Sequence, residues 1–157
     1  MENQVLKIIF TVFIGVMVAL FIGFGIEAFY PTPPYPEDLA NMWAEDMTKD
    51  EQAALQTMQN AYDASVKLRT GIASIVVTAM AVIIMFVSMF LEKLNLTLTN
   101  GLLLGGLFAL VYGSGMGLST GNAVVSFIIV GVGLAAVIVV GIRRFSPARK
   151  ALDAAKP

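Results

Sequence analysis

Apolar positions in this chain fall in four long unbroken blocks, and polar positions gather between them. The blocks run from Ile8 to Ile26, from Gly71 to Leu91, from Leu96 to about Leu118 and from Ala123 to Ile142. Each has the length, roughly 20 residues, that a helix needs to cross about 30 Å of hydrocarbon. A barrel strand would instead alternate inward and outward residues over about 10 positions. The pattern therefore predicts an all-α fold: a four-helix transmembrane bundle that forms a single membrane domain over residues 1–157. Its spans cover about 8–28, 71–92, 96–118 and 123–142, with a helical extramembrane loop at 29–70 and a basic tail at 143–157. The first block begins behind Lys7, as a signal peptide would. It is longer than the 7–15 residues of a signal core, and no small-x-small cleavage site precedes Pro31, so it reads as a retained span.

The loop opens with Phe29-Tyr30-Pro31-Thr32-Pro33-Pro34-Tyr35-Pro36. So many prolines block a helix and favour an extended, stiff exit from the membrane. Tyr30 and Tyr35 suit the headgroup layer, where an apolar ring meets a wet hydroxyl. Pro36 is placed to start a short helix ending at Met47, whose Leu39, Met42, Trp43 and Met47 share one face opposite Glu37, Glu45 and Asp46. Trp43 would anchor that helix at the interface or pack it on the rest of the loop. Thr48-Lys49-Asp50-Glu51 has the form of a capping box. A helix should start near Lys49, carry Leu55, Met58, Tyr62 and Val66 on a narrow stripe, and run unbroken into the second span. Only Gly71 weakens the junction, by about 1 kcal/mol relative to Ala.

Small residues form the clearest motif. Gly101, Gly105, Ala109, Gly113 and Gly117 recur every four positions in the third span, and Gly106 broadens the groove. Gly15, Ala19 and Gly23 do the same in the first span; Gly133 and Gly141, with Gly131 and Ala135, answer in the fourth. Lipid supplies little hydrophobic drive between helices, so close backbone packing carries much of their association. These positions are read as helix-packing sites. They serve packing within the bundle, an oligomer interface or a slot for a solute.

Composition narrows the chemistry. The chain is 57% hydrophobic and only 13% charged, with a net charge of −1, which leaves no electrostatic footprint for nucleic acid. It has no cysteine and no histidine. Disulfides, thiolate nucleophiles, zinc–sulfur centres and imidazole acid–base work are therefore excluded. No cofactor, metal site or catalytic residue is expected, and the protein is not read as an enzyme. The acids of the loop lack calcium-loop spacing. The hydroxyls of Thr70, Ser74, Thr78 and Ser88 more often bond back to their own helix than line a path. Asn95-Leu96-Thr97 fits a glycosylation pattern but lies in a short turn beside the membrane. Glu27, at the outer end of the first span, is the one candidate for ion contact. The ten Lys and Arg divide unequally: Lys7, Lys93, Arg143, Arg144, Arg149, Lys150 and Lys156 on one side, Lys49, Lys67 and Arg69 on the other. That bias predicts cytoplasmic termini and an external loop at 29–70 in a multi-pass protein of the cell membrane.

The run Gly105-Gly106-Leu107-Phe108-Ala109-Leu110-Val111-Tyr112-Gly113, together with the exit Phe29-Tyr30-Pro31, resembles uncharacterised bacterial small four-span integral membrane proteins. The likeness covers most of the chain and implies no particular activity. Small multidrug transporters keep a glutamate inside their first span, where this chain has none between Ile8 and Ile26. The expectation is a non-catalytic membrane protein acting through helix–helix assembly, as a homo-oligomer or an accessory subunit with a membrane-protein partner, in contact with the lipid bilayer. The alternative is a small oligomeric channel or transporter.

Overall fold

The computed structural model describes residues 2–37, 48–93 and 95–145. Its four long helices are α1 (Glu2–Phe29), α2 (Lys49–Leu91), α3 (Leu96–Ser119) and α4 (Ala123–Phe145), and no strand occurs among the described residues. All four are long and apolar enough to cross a membrane. The helix expected from Pro36 to Met47 lies outside the described residues beyond Glu37, as do Trp43 and the tail from Ser146.

Local chemistry sets the helix ends. The Glu51 carboxylate accepts the Thr48 N–H and hydroxyl, both at 2.8 Å, and fixes the start of α2. The Asn95 side chain accepts the N–H groups of Thr97 and Leu98 and caps α3. The Asn of the glycosylation pattern is thus engaged as a helix cap. Asn122 caps α4 in the same way through Val124 and Val125. Gly121 has φ 70°, so the α3–α4 turn reverses without the steric cost a side chain would incur. At about 1.5 Å per residue, α2 is roughly 65 Å long, about twice the thickness of a hydrocarbon layer. Its half from Lys49 to Thr70 therefore projects from the bundle, which defines a loop end and an opposite, terminal end.

α3 is the hub. It is antiparallel to α2 and α4 and parallel to α1, and it packs on all three. The period-four stripe explains how one helix serves three partners. Each step of four residues overshoots a full turn by about 40°, so Gly117 points about 160° away from Gly101. Gly101 and Gly105 accordingly face α1, where an added Cβ would stand 2.7 Å from side-chain atoms of Ile14 and Val18 and close to the carbonyls of Thr11 and Gly15. Gly106 and Gly113 face α2, against Met85 and Ala81, and Thr78 and Val77. Gly117 faces Ile129 of α4. The stripe is thus a spiral that visits three neighbours in turn, not one groove for one partner. Ala109, in its middle, is 1% exposed.

The facing helices follow spacings of three and four. On α2 they are Ala73, Ser74, Val77, Thr78, Ala81, Met85 and Ser88; on α4 they are Ile129, Gly133, Ala136 and Val140. Gly133 lets Leu110 of α3 lie against the α4 backbone. Gly15 does the same for Leu104. Two of the expected packing glycines fall elsewhere. A Cβ at Gly23 or Gly141 would meet nothing within 4 Å, and the same holds at Gly131. Gly131, Ala135 and Gly141 lie off the α4 contact face, and Gly23 and half-buried Ala19 line a groove between α1 and α3.

Close contact at the hub sets a measurable contrast. Gly105→Ala should cost about 1–3 kcal/mol, because a methyl there must displace Val18 or the α1 backbone. Gly115→Ala, into open space on the same helix, should stay within about 0.5 kcal/mol. Denaturation midpoints of the two variants in one detergent test this; equal effects would mean the α1–α3 contact is not close.

Candidate functional site

α1 ends at Phe29, and its last carbonyls have no partners within the helix. Arg69, two residues before the apolar half of α2, reaches across to this end. Its Nε and Nη2 donate to the Tyr30 carbonyl at 3.0 and 2.6 Å, and Nη2 also meets the Glu27 carboxylate at 2.6 Å. A cation at a helix C-terminus is favoured by the helix dipole, and a charge-assisted bond of this length is among the stronger polar contacts. The other Glu27 oxygen accepts from the Thr32 N–H and hydroxyl, each at 3.1 Å. One carboxylate therefore joins the end of α1, the start of the proline segment and α2.

The proline segment then runs along α2 away from the bundle. The Tyr62 hydroxyl donates to the Pro33 carbonyl at 3.3 Å, and the Tyr35 and Tyr62 rings meet edge to face at 5.3 Å. Such ring pairs contribute about 0.5–1.5 kcal/mol beyond burial. Tyr30 and Tyr35, read as interfacial anchors, are exposed in this setting.

Glu27 differs from its expected role as a lone ion contact. It is already paired, and its partner Arg69 is buried, with 11% of the side chain exposed against 57% for Glu27. Arg69 lies two residues before the second apolar block, so the blocks themselves stay free of charge, and its burial comes from packing against the end of α1. An acid near the end of one apolar block and a cation just before the next come to the same depth once the two helices run antiparallel, a pairing that spacing along the chain does not reveal.

Beside the clasp, α1 and α3 flank a groove of about 470 Å3. Val16, Ala19, Leu20, Gly23, Phe24, Phe108 and Tyr112 line it, and Glu27 stands at its loop end. Apart from Glu27 and the Tyr112 hydroxyl the walls are hydrocarbon, which suits an apolar chain and offers no paired acid and base.

Deeper hydroxyls do not build a polar route. Ser74, Ser88, Thr99 and Thr120 donate to carbonyls three or four residues back on their own helices. Thr78 Oγ1 is buried without a hydrogen-bond partner and lies against Gly113. No group of three or more metal-ligating side chains occurs among the described residues. Comparisons with family models, curated proteins and solved structures gave no match to this chain.

Glu27→Gln and Arg69→Leu should each speed amide exchange at Thr32, whose N–H the carboxylate holds in place. A double-mutant cycle on stability should show that the two losses are not additive. Additive effects would show that the two charges are neighbours without being partners.

Proposed function

We propose that this chain is a non-catalytic multi-pass membrane protein that acts by helix–helix assembly, as a homo-oligomer or an accessory subunit. The observation that supports this most directly is the uncovered face of α4. Gly131 and Ala135 lie one turn apart there, both exposed. Small residues lose packing contacts when they face lipid and gain them when a second helix approaches. α1 adds a second open flank: the share of its apolar window buried is 11%, against 39% for α3. Since the α3 stripe is consumed inside the bundle, assembly falls to α4 and α1. The projecting half of α2 gives a partner a handle beyond the membrane surface.

The chain is 16.8 kDa, so mass in a mild detergent tests this directly. The expected result is a multiple of that mass, or a stable complex with another membrane protein, reduced by Ala135→Phe on the exposed face. A lone 16.8 kDa chain in every mild detergent, with nothing bound, would overturn the assembly reading.

In this reading the terminal end is cytoplasmic and the loop end external, in the cell membrane. The supporting observation is the charge of the terminal end, where Lys7, Lys93, Arg143 and Arg144 gather. The chain lacks cysteine, so single introduced thiols report without background. With a membrane-impermeant maleimide on intact cells, Asp50→Cys should label and Lys93→Cys should not. The reverse pattern would invert the topology.

A further inference from the structure

The terminal end carries a smaller depression, far from the clasp. It lies between α2 and α4, has a volume of about 300 Å3, and is lined by Phe86, Met89, Phe90 and Arg143. Phe90 is 80% exposed, a large ring left uncovered beside a cation. Arg143 is exposed at the mouth of this depression. Its neighbour Arg144 donates to the Asn100 side chain, a neutral partner. Glu92 and Lys93 follow on α2 with opposite signs. The depression therefore combines a hydrocarbon slot about one helical turn long with a net positive rim.

We propose that this depression binds one anionic glycerophospholipid, with an acyl chain over Phe86, Met89 and Phe90 and the phosphate on Arg143. The inference rests on reading the four helices as membrane spans. A guanidinium matches phosphate oxygens through paired hydrogen bonds, and basic pockets between membrane helices hold anionic headgroups. A zwitterionic lipid offers the same phosphate but brings its own ammonium toward two arginines. A helix from a second copy would have to bury Arg143 at an end where Lys7, Lys93, Arg143 and Arg144 outnumber the acids Glu2 and Glu92, and burial penalises such crowding of like charge. Charge complementarity thus selects an anionic lipid over both.

The test uses the full chain in nanodiscs holding equal phosphatidylglycerol and phosphatidylcholine with matched acyl chains, read by native mass spectrometry. The wild-type protein should retain phosphatidylglycerol over phosphatidylcholine by roughly fivefold, the worth of one headgroup contact. R143Q should bring the ratio near one. K7Q removes a charge from the same end, on α1 and outside the depression, and should leave the ratio unchanged. Arg143 is exposed, so unfolding of R143Q is not expected, and an unchanged denaturation midpoint verifies it. Equal retention of the two lipids by the wild-type protein would overturn the proposal. So would equal losses in K7Q and R143Q, which would mean diffuse surface charge. The same spectra report oligomeric mass, so failure of the lipid site and failure of the assembly reading are seen separately.

Discussion

The fold depends on how closely α1, α2 and α4 approach the backbone of α3. At Gly101, Gly105, Gly106, Gly113 and Gly117, a single added carbon would stand under 3.0 Å from a neighbouring helix. Contact at that range is available only to glycine, and it brings whole turns of backbone and side chain into dispersion contact. Dispersion does not require water to be expelled, so it works where the hydrophobic effect is weak. The drift of the period-four stripe then has a structural use. A strict period of 3.5 would hold the glycines on one seam and serve one partner. A period of four turns them through three, and a single helix can organise a bundle.

The second determinant is the clasp at the loop end. Glycine packing fixes α1 to α3 in the half of α1 before Val18, and Ile22 and Ile26 still reach the core, at 1% and 9% exposed. What secures the loop end of α1 to α2 is Arg69, through the Tyr30 carbonyl and Glu27. The pair sets where the proline segment begins its path along α2, and Tyr62 takes it over at Pro33. The groove beside it follows from geometry: α1 is held at both ends of this stretch, and Gly23 has no side chain to fill the gap. The groove is lined by hydrocarbon apart from Glu27 and the Tyr112 hydroxyl, and the Glu27 carboxylate is engaged by Arg69 and Thr32.

Much of this architecture was legible in the sequence. Long apolar runs marked the four helices within a few residues, because burial in hydrocarbon leaves a one-dimensional signature that tertiary context does not override. Thr48 and Glu51 announced the start of α2 because a cap is local chemistry. Partner assignment was less visible. Gly23 and Gly141 share the spacing of Gly15 and Gly133, yet only the latter two meet a neighbour. Spacing shows which residues share a face and says nothing of where the facing helix bends away. The Glu27–Arg69 pair was hidden for a related reason: its members are separated by the whole proline segment and the first half of α2, so only the packed helices bring them together.

The two ends of the bundle treat charge in opposite ways, and this asymmetry bears most on function. At the loop end a buried cation is met by a carboxylate and a helix-terminal carbonyl, so the charges are compensated within the chain. At the terminal end Arg143 stands exposed and, among the described residues, Arg144 meets a neutral amide. Internal compensation suits a part of the molecule whose task is to hold its own shape. Uncompensated cations attract whatever anions the surroundings offer, and in a bilayer those are lipid phosphates. The apolar slot between Phe86 and Phe90 turns that general attraction into a located one, because it gives the lipid's chain a place next to the charge that draws its head.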